Sequence, residues 1–310
     1  MSSSAAITAL RLKHAASGIS FLRLRAVVAG GTSGIGRGAA IRLAEAGFSV
    51  AVLGRSIAHG NEVVEAMIKV GAPGAKHSYI PLNAFSLASV RQAAHEITRT
   101  LDGAPLDVLF MSHGMATLQG RTETSDGFDE KLSLHVYSRL LLTLQLLPSL
   151  RIATAPRVIS VLSGGVHGLF QHWRTDPELR THYSIKNAAD LAGLLNDACF
   201  DGLSREPENK NILFVHAAPG FVASNWGTEF PMWLRLPLRA LQKFAPLRTA
   251  ADAAEALLDT LWDRENDAHG FRIIDPDGQI AVQQISTSVH NEATEFLWPL
   301  TKALVLEKGM

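Results

Sequence analysis

Residues 25–37 read RAVVAGGTSGIGR, a short apolar run followed at once by a glycine-rich stretch. The apolar run predicts a buried β-strand, and the glycines predict a turn that opens into a helix. In such a turn Gly30 permits a sharp bend, Gly34 lets the backbone approach a pyrophosphate, and Gly36 lets the helix pack closely on the strand. The free N–H groups of the helix N-terminus favour an anion there. The stretch therefore predicts a dinucleotide-binding turn, with an ordinary glycine-rich turn as the alternative.

Short apolar runs alternate with helical patterns along the rest of the chain. The runs cover residues 25–30, 48–54, 77–82, 106–111, 157–162, 211–216 and 271–274. The helical patterns cover residues 36–46, 57–70, 87–101, 128–150, 183–203 and 250–263, with a short C-terminal helix from residue 291. Because the runs are continuously hydrophobic, they are typical of parallel strands buried on both faces. We expect one α/β domain, a doubly wound parallel sheet of the Rossmann type with about seven strands and helices on both faces.

The composition excludes several classes of protein. Of 310 residues, 29 are Lys or Arg and 29 are Asp or Glu, so the formal net charge is zero. A nucleic-acid-binding protein needs an excess of basic residues to neutralise phosphates, and none is present here, so no nucleic-acid partner is expected. The longest apolar stretch, residues 140–147, is far shorter than the ~18 residues of a membrane-spanning helix, which predicts no integral membrane span. The 47% of hydrophobic residues are instead typical of a globular protein with a large core.

Cysteine usage and the N-terminus bear on the compartment. Cys199 is the only cysteine, so no intrachain disulfide can form, and no cysteine–histidine cluster has the spacing of metal ligands. We therefore expect no metal and a reducing, cytoplasmic location. Residues 1–24 carry Ser, Arg, Lys and Leu but no acidic residue, as organellar transit peptides do. An N-terminal arm is the preferred interpretation, and a mitochondrial targeting segment is the alternative.

The end of the second predicted strand indicates which dinucleotide would bind. Residues 53–56 read LGRS. At this place an acidic side chain binds the free ribose hydroxyl of NAD, whereas a basic side chain receives the 2′-phosphate of NADP. Gly54 leaves room, and Arg55 offers a planar, bidentate phosphate donor, with Arg37 nearby. The sequence thus favours NADP(H); the alternative is that Arg55 is only a solvated residue at a strand end.

Together these pieces resemble the short-chain dehydrogenase/reductase family over residues 25–285. GGTSGIGR is similar to the family's TGxxxGIG pattern, although Ala29 stands where the family usually has threonine. Residues 118–142, LQGRTETSDGFDEKLSLHVYSRLLL, resemble a mainly fungal branch akin to retinol dehydrogenases and WW-domain oxidoreductases. The resemblance implies a Rossmann-type catalytic domain at 25–285, preceded by the arm at 1–24 and followed by a helical tail at 286–310.

The resemblance also implies a set of cofactor-binding residues. Asn83 stands where the family usually has an aspartate that binds the adenine amino group, and Gly114 alone in MSHG (111–114) matches the family's NNAG. Four residues of APGFVASNW (218–226) match PGxVxT, whose backbone and hydroxyl position bind the nicotinamide carboxamide. The complete set implied for NADP(H) is Gly30, Thr32, Ser33, Gly34, Ile35, Gly36, Arg55, Asn83, Gly114, Lys186, Pro219, Gly220, Val222 and Ser224.

Three further residues are implied to be catalytic. In the family a hydride passes between C4 of the nicotinamide and a carbonyl carbon, while a tyrosine passes a proton to or from the carbonyl oxygen. Tyr183 would be that tyrosine, and Lys186 would bind the nicotinamide ribose and lower the tyrosine pKa from its ordinary value of about 10. Ser163, just past the fifth predicted strand, would hold the carbonyl oxygen.

Two of the four catalytic positions depart from the family pattern. Tyr183 and Lys186 are three residues apart, whereas the family has a step of four, which leads back to His182. A step of three still predicts neighbouring side chains on a helix. His135 stands where the family has an asparagine that holds a proton-relay water. The alternatives are a packed aromatic at 183, a solvated lysine at 186 and two structural histidines.

Residues 225–248 are unusually rich in aromatic and aliphatic residues for a connection, with three prolines. The resemblance implies a lid over the substrate, which favours a bulky lipophilic ketone, aldehyde or alcohol. A core helix and a protein–protein contact are alternatives, and the basic residues beside the apolar ones are also compatible with peripheral contact at a membrane surface. The family further suggests a homodimer through the long fourth and fifth helices.

We therefore expect an NADP(H)-dependent oxidoreductase that transfers a hydride between nicotinamide and a lipophilic carbonyl or alcohol. The alternative is a protein of the same fold that has lost or altered redox chemistry, either a non-redox isomerase or cyclase or an NADP-binding scaffold or sensor. Retention of Ser163, Tyr183 and Lys186 favours the enzyme. Replacement of the asparagine and of NNAG favours the alternative.

Overall fold

One parallel sheet forms the centre of the protein. The computed structural model describes residues 24–223, 248–262, 269–282 and 284–308. The strands in these ranges are β1 Arg25–Ala29, β2 Ser49–Gly54, β3 His77–Pro81, β4 Val108–Met111, β5 Arg157–Val161, β6 Leu213–Ala217, the two-residue strands β7 Val222–Ala223 and β8 Arg248–Thr249, and β9 Gly270–Ile274. Seven of them form a parallel sheet in the order β3-β2-β1-β4-β5-β6-β9, and β7 pairs with β8. Each predicted apolar run overlaps one of the seven strands, so the predicted fold class is confirmed.

Helices cover both faces of this sheet. They are α1 Gly34–Glu45, α2 Ile57–Val70, α3 Leu87–Leu101, α4 Ser138–Arg151, α5 Ile185–Arg205, α6 Ala250–Trp262 and α7 Thr287–Glu307. Two apolar clusters lie on opposite faces: Ile159 of β5 belongs to the cluster that contains Met67 of α2, and Val158 belongs to the one that contains Leu141 of α4. Because alternate residues of β5 face different clusters, the strand is apolar along its whole length.

Two helices start where a serine caps them. The Ser56 hydroxyl accepts a hydrogen bond from His59 N ahead of α2, and Ser86 does the same for Ser89 N ahead of α3. Each cap satisfies one of the N–H groups that lack a partner in the first turn. Both helices begin and end where the sequence predicts.

Helix α4 departs from the continuous helix predicted over residues 128–150. A short turn at Glu130–Leu132 leads into a π-helical turn at Ser133–Tyr137, and α4 follows it. A π-helical turn accommodates one extra residue, which changes the direction of the side chains before and after it. His135 lies within this turn.

The C-terminal helix α7 packs along α5 and also contacts α4. His290 Nε2 lies 2.7 Å from an Asp201 carboxylate oxygen, and Lys302 donates to Glu206 at 2.6 Å. This helix therefore covers part of the surface that a dimer through α4 and α5 would use. The dimer stays a prediction. Within the described ranges, no helix combines the length and the hydrophobicity that a membrane span requires.

Candidate active site

The turn after β1 has the backbone that the glycine pattern predicts. Gly30 has a φ of +78° and Gly34 a φ of +53°, conformations that L side chains rarely adopt. A Cβ on Gly36 would overlap the carbonyl oxygen of Gly30. The Ser33 side chain makes no capping hydrogen bond to α1. The Ser33 side chain therefore leaves the first N–H groups of α1 available, and such groups can receive a phosphate.

This turn lies beside the segment that follows β4. A Cβ on Gly30 would be 2.6 Å from His113 N, and one on Gly36 would come within 2.5 Å of Ser112 Oγ. The strand order reverses between β1 and β4, and doubly wound sheets bind ligands in the crevice outside the carboxyl ends of strands at this place.

Two polar atoms beside this crevice are buried and have no partner in the described part of the chain. They are Ser112 Oγ after β4 and Ser163 Oγ after β5. Leaving a buried polar group unpaired costs about 1–3 kcal/mol. The residues present therefore suit a polar ligand such as a nicotinamide cofactor.

The predicted adenosine end of the site lies on the surface. Arg55 is exposed, its guanidinium lies 5.8 Å from the centre of the Phe85 ring, and no carboxylate of the described residues pairs with it. Asn83 is exposed as well, and its Oδ1 accepts a hydrogen bond from Phe85 N at 3.2 Å. Thr32 packs so closely against the end of β2 that a Cβ on Gly54 would lie 2.6 Å from it. The side chains of Arg55 and Asn83 can therefore reach a ligand.

Three of the residues predicted to line the nicotinamide end of the site are Gly114, Gly220 and Val222. A Cβ on Gly114 would be 3.4 Å from His135 Nε2. Gly220 has a φ of +71° and lies against Pro276, and Val222 is buried. Ser224 and nearly all of the predicted lid, residues 225–247, lie outside the described residues.

Ser163 lies in a tight turn after β5. Gly165 has a φ of +72°, and a Cβ on Gly164 would overlap the backbone carbonyl of His216. The backbone N–H of Ser163 donates to Nε2 of His216 in β6 at 3.1 Å. The neighbouring strand thus holds the serine by its backbone, and the hydroxyl is left without a protein partner.

Tyr183 precedes α5 and does not belong to it. Ser184 is the N-cap of α5, with its hydroxyl accepting from Asn187 N at 3.0 Å. The expectation that Tyr183 and Lys186 are neighbours on a helix is therefore wrong, because the helix begins two residues later than predicted. The Tyr183 hydroxyl donates to Gln119 O at 3.1 Å. Lys186 Nζ donates to Asp190 at 2.5 Å, so in this arrangement no hydrogen bond joins the tyrosine to the lysine.

His182 is held by Asp176. The Asp176 carboxylate accepts hydrogen bonds from the backbone N–H groups of Arg180, Thr181 and His182, and it lies 3.2 Å from His182 Nδ1. Although burial raises the pKa of Asp176, these hydrogen bonds outweigh it and bring the pKa to about 2. The ring of His182 also stacks on His172 with centroids 3.7 Å apart. These contacts give His182 a structural explanation.

His135, predicted to replace a relay asparagine, has a structural role. Its Nε2 accepts from Met115 N at 3.1 Å, and its carbonyl accepts from Asn196 Nδ2 at 2.9 Å. Burial, with the charges of Arg139 and Lys131, lowers the His135 pKa to about 3. His135 is therefore neutral at pH 7 and acts as a hydrogen-bond acceptor that holds the chain after β4.

Arg139 was missed by the sequence analysis. It is 1% exposed and donates to Ser160 Oγ at 2.6 Å, to Val161 O at 3.0 Å and to His113 O at 2.6 Å. Burial lowers the pKa of Arg139 to about 9, so the guanidinium stays charged at pH 7. It ties the ends of β4 and β5 together beneath the crevice. An arginine inside the apolar run SRLLLTLQLL was the available signal.

Three other buried polar residues were also missed, and we call them the His–Asp–His cluster: His167, Asp197 and His216. Asp197 lies 2.9 Å from His167 Nε2 and 2.6 Å from His216 Nδ1. The available signals were a histidine in the apolar strand LFVHA and a polar pair in the apolar helix run LLNDACF. The residues come from three distant parts of the sequence, so their meeting could not be read from spacing.

The sequence of the chain is similar to those of known oxidoreductases. The family model for short chain dehydrogenases matches residues 25–174. The oxidoreductase notO of Aspergillus sp., described as having an NmrA-like family domain, is 28% identical over 204 residues, which are 65% of this chain and 61% of that protein. Polyprenol dehydrogenase of Mus musculus is 39% identical over 140 residues, 44% of this chain and 41% of that protein. The chain thus spans less than two thirds of the length of either relative.

A solved structure supports the same conclusion for the fold. The NADPH-bound carbonyl reductase from chicken fatty liver superposes with a TM-score of 0.60 at 18% identity, covering 84% of this chain and 99% of that one. The glycine turn, the strand order, the crevice and these comparisons agree: residues 25–174 match the short chain dehydrogenase family, and the chain has the fold of the similar solved structure.

Proposed function

We propose that this protein is an NADP(H)-dependent oxidoreductase that transfers a hydride between the nicotinamide and a lipophilic ketone or aldehyde, or the corresponding alcohol. The observation that carries the proposal is the buried hydroxyl of Ser163. It has no partner within the described residues, and it follows β5 at the same edge of the sheet as the glycine turn. A hydroxyl in that position can donate to a carbonyl oxygen.

Arg55 supports NADP(H) over NAD(H). It is an exposed cation after β2 and no carboxylate in the described ranges pairs with it, so a phosphate would not have to displace an anion. The structurally similar carbonyl reductase from chicken fatty liver was solved with NADPH bound.

Tyr183 and Lys186 can exchange their present partners at small cost. Tyr183 gives up one hydrogen bond to a backbone carbonyl, worth about 1 kcal/mol. The Lys186 side chain is 79% exposed, and exposed ion pairs contribute only about 0–1 kcal/mol. We propose that cofactor binding draws Lys186 to the nicotinamide ribose and that Tyr183 passes the proton. The nicotinamide would supply or accept the hydride.

A lipophilic substrate is supported by exposed apolar side chains at the carboxyl edge of the sheet. Four apolar side chains that follow β5, β6 and β9 are largely exposed at the carboxyl edge of the sheet: Val166, Phe221, Ile280 and Val282. Exposed apolar patches often mark binding surfaces. The relative named polyprenol dehydrogenase acts, by its name, on a long lipophilic alcohol.

The test is a titration with NADPH followed by turnover on matched carbonyl compounds of rising chain length. We expect NADPH to bind more tightly than NADH and kcat/KM to rise with apolar length. Tight NADPH binding without turnover of any carbonyl or alcohol would instead favour a member of the family with non-redox chemistry.

A further inference from the structure

We propose that His216 and Asp197 are positioning residues for Ser163, and that His167 completes the device as a charged partner of Asp197. The inference rests on the proposed function, since it concerns the serine that would hold the carbonyl oxygen. Its structural part is independent of activity and can be tested alone.

The hydrogen bonds of His216 fix its protonation. Nε2 accepts from the backbone N–H of Ser163, so it carries no proton. Nδ1 lies 2.6 Å from Asp197 Oδ1, a carboxylate oxygen that can only accept, so Nδ1 carries the proton. His216 is therefore neutral, in agreement with a pKa lowered chiefly by burial. A neutral ring with this tautomer is what the Ser163 N–H requires.

His167 faces two acceptors. Its Nδ1 lies 3.1 Å from Gly168 O and its Nε2 lies 2.9 Å from Asp197 Oδ2. Both ring nitrogens must donate, so His167 is an imidazolium. Burial lowers its pKa, but the hydrogen bond and charge of Asp197 outweigh this and the pKa is raised. The buried carboxylate of Asp197 is thereby compensated by one full positive charge.

The shape of α5 makes room for this arrangement. Asp190, Gly193 and Asp197 share one helical face, at steps of three and four residues. A Cβ on Gly193 would overlap the His167 ring. Asp190 accepts a hydrogen bond from Gly168 N at 2.9 Å. The loop that carries Ser163 is thus fastened to α5 through two carboxylates with a glycine between them.

A metal ion does not explain the cluster as well. Two histidines and a carboxylate come close enough to ligate one. A metal would need the lone pairs of ring nitrogens that, at 2.6–2.9 Å from carboxylate oxygens, carry protons. It would also take Asp197 away from both rings. The hydrogen bonds account for every ring nitrogen without it.

The consequence for Ser163 is a fixed backbone. Its N–H is held by a ring that Asp197 orients, and its two following glycines leave no side chain to hold the turn. Misplacing a reacting group by about 1 Å can cost 10²-fold in rate. Losing the Ser163–His216 bond should therefore lower kcat more than it weakens cofactor binding.

The test replaces His216 in two ways. In His216→Gln the side-chain oxygen can lie near the former Nε2 and accept from Ser163 N, whereas in His216→Asn the shorter amide can still meet Asp197 but cannot reach the serine. We expect the Gln variant to keep kcat within about threefold and the Asn variant to lose tenfold or more, each with an NADPH Kd within about twofold of the wild type.

The matched control is His290→Asn, because the shorter amide cannot reach the carboxylate that His290 Nε2 meets. Like His216, His290 contacts a carboxylate of α5: its Nε2 lies 2.7 Å from Asp201. Among the described residues it has no hydrogen bond to the loop that carries Ser163. It should lose stability without a fall in kcat. In a Ser163→Ala background His216→Asn should bring no further loss, because its effect passes through the serine hydroxyl. Equal kcat losses in the Gln and Asn variants, or full additivity with Ser163→Ala, would overturn the positioning role.

A second readout needs no turnover. Nitrogen-15 NMR of the histidine rings should show His216 as the neutral Nδ1–H tautomer and His167 as an imidazolium. The amide of Ser163 should exchange slowly in the wild type and in His216→Gln, and faster in His216→Asn. An Nε2–H tautomer at His216 would overturn the inference even if the enzyme is active. Stoichiometric Zn²⁺ that shifts both rings would replace it with a metal site.

Discussion

Lys186 donates to Asp190 one helical turn further along α5, with Nζ 2.5 Å from the carboxylate oxygen. Asp190 is mostly buried and is fixed by Gly168 N, whereas the lysine side chain is 79% exposed. The carboxylate thus belongs to the loop contact, and the lysine is the mobile partner. This relationship decides how easily Lys186 can serve a cofactor.

Lys186→Met should raise the Kd for NADPH about tenfold or more, since a charged hydrogen-bond donor to the ribose is worth about 1.5–3 kcal/mol. Asp190→Asn should change the Kd by less than about fivefold, because the lysine end of this pair lies in solvent, where ion pairs contribute about 1 kcal/mol or less. Calorimetry measures both. Lys302→Met, which breaks the Lys302–Glu206 pair between α7 and the residue after α5, is the matched control and should not change the Kd. A large gain in affinity in Asp190→Asn would instead show that Asp190 restrains the lysine.

Arg55→Asp should weaken NADPH at least tenfold and bring the Kd for NADH closer to it. The variant removes charge-assisted bonds worth about 1.5–3 kcal/mol and adds repulsion with the 2′-phosphate. Lys210→Asp makes the same change of charge at an exposed site between α5 and β6, and should leave both affinities unchanged. Equal wild-type affinity for NADH and NADPH would contradict the assignment of Arg55.

Tyr183→Phe should lower kcat 10²-fold or more if the hydroxyl is the proton donor. NADPH affinity should stay nearly intact, because the hydroxyl bonds only Gln119 O in the described residues. Tyr79→Phe is the matched variant, since it removes a similar bond, to Gly54 O at 2.8 Å, and should leave kcat unchanged.

His182→Ala separates the two candidates for the acid. The His182 ring already contacts the Asp176 carboxylate and stacks on the His172 ring. We therefore expect kcat to stay within about threefold of the wild type. The reverse pattern, with an active Tyr183→Phe and an inactive His182→Ala, would transfer the role to His182.

The sequence predicted those parts of the molecule whose cause is local. Continuous apolar runs marked the buried strands, and serine caps coincide with the predicted starts of α2 and α3. The start of α5 was misplaced because Ser184, which also caps its helix, lies inside the motif that was read as helical. The π-helical turn around His135 was missed; the His135 carbonyl there accepts a hydrogen bond from Asn196, 61 residues away, a contact that sequence spacing does not reveal.

The sequence marks the polar residues under the site but does not show which residues they contact. Arg139, Asp197 and His216 each interrupt an apolar run, which indicates a buried polar residue with a hydrogen-bond partner. Which partner each one meets depends on the packing of α4, α5 and β6 around the sheet. Periodicity gives the faces of these elements but not their mutual register, so the pairs could be found only in the structure.

The ion pair of the His–Asp–His cluster should appear in the pH dependence of stability. The pKa of His167 is raised above 6.5, so its contribution is complete below pH 6.5 and is lost as the pH rises through the pKa in the folded protein. The pKa of Asp197, about 2 against an ordinary 3.8, means that the pair is also lost as the pH falls towards 2. Asp190 adds to the positive shift of His167, and Arg139 opposes protonation of His216.

Urea unfolding of the wild type and His167→Gln from pH 3 to pH 9 measures this contribution. The titration of His216 is common to both proteins and largely cancels in the difference. The difference in the free energy of unfolding should be largest between about pH 4 and 6.5 and should shrink above that range. A difference that grows with pH would mean that His167 is neutral in the folded protein.

Gly193→Ala tests whether the space that Gly193 leaves on α5 is needed to hold the loop that carries Ser163. Alanine favours a helix over glycine by about 1 kcal/mol, yet its Cβ would overlap the His167 ring, and overpacking of this kind costs about 1–3 kcal/mol. We expect a lower free energy of unfolding together with a lower kcat, because His167 would be forced away from Asp197 and the loop would move with it. Gly202→Ala, in the same helix, would overlap the Trp298 side chain of α7 and has no contact with the loop among the described residues. This variant should lose a similar free energy of unfolding in urea while its kcat stays unchanged. Equal kcat losses in the two variants would show that activity follows the general stability of α5 rather than the position of Ser163.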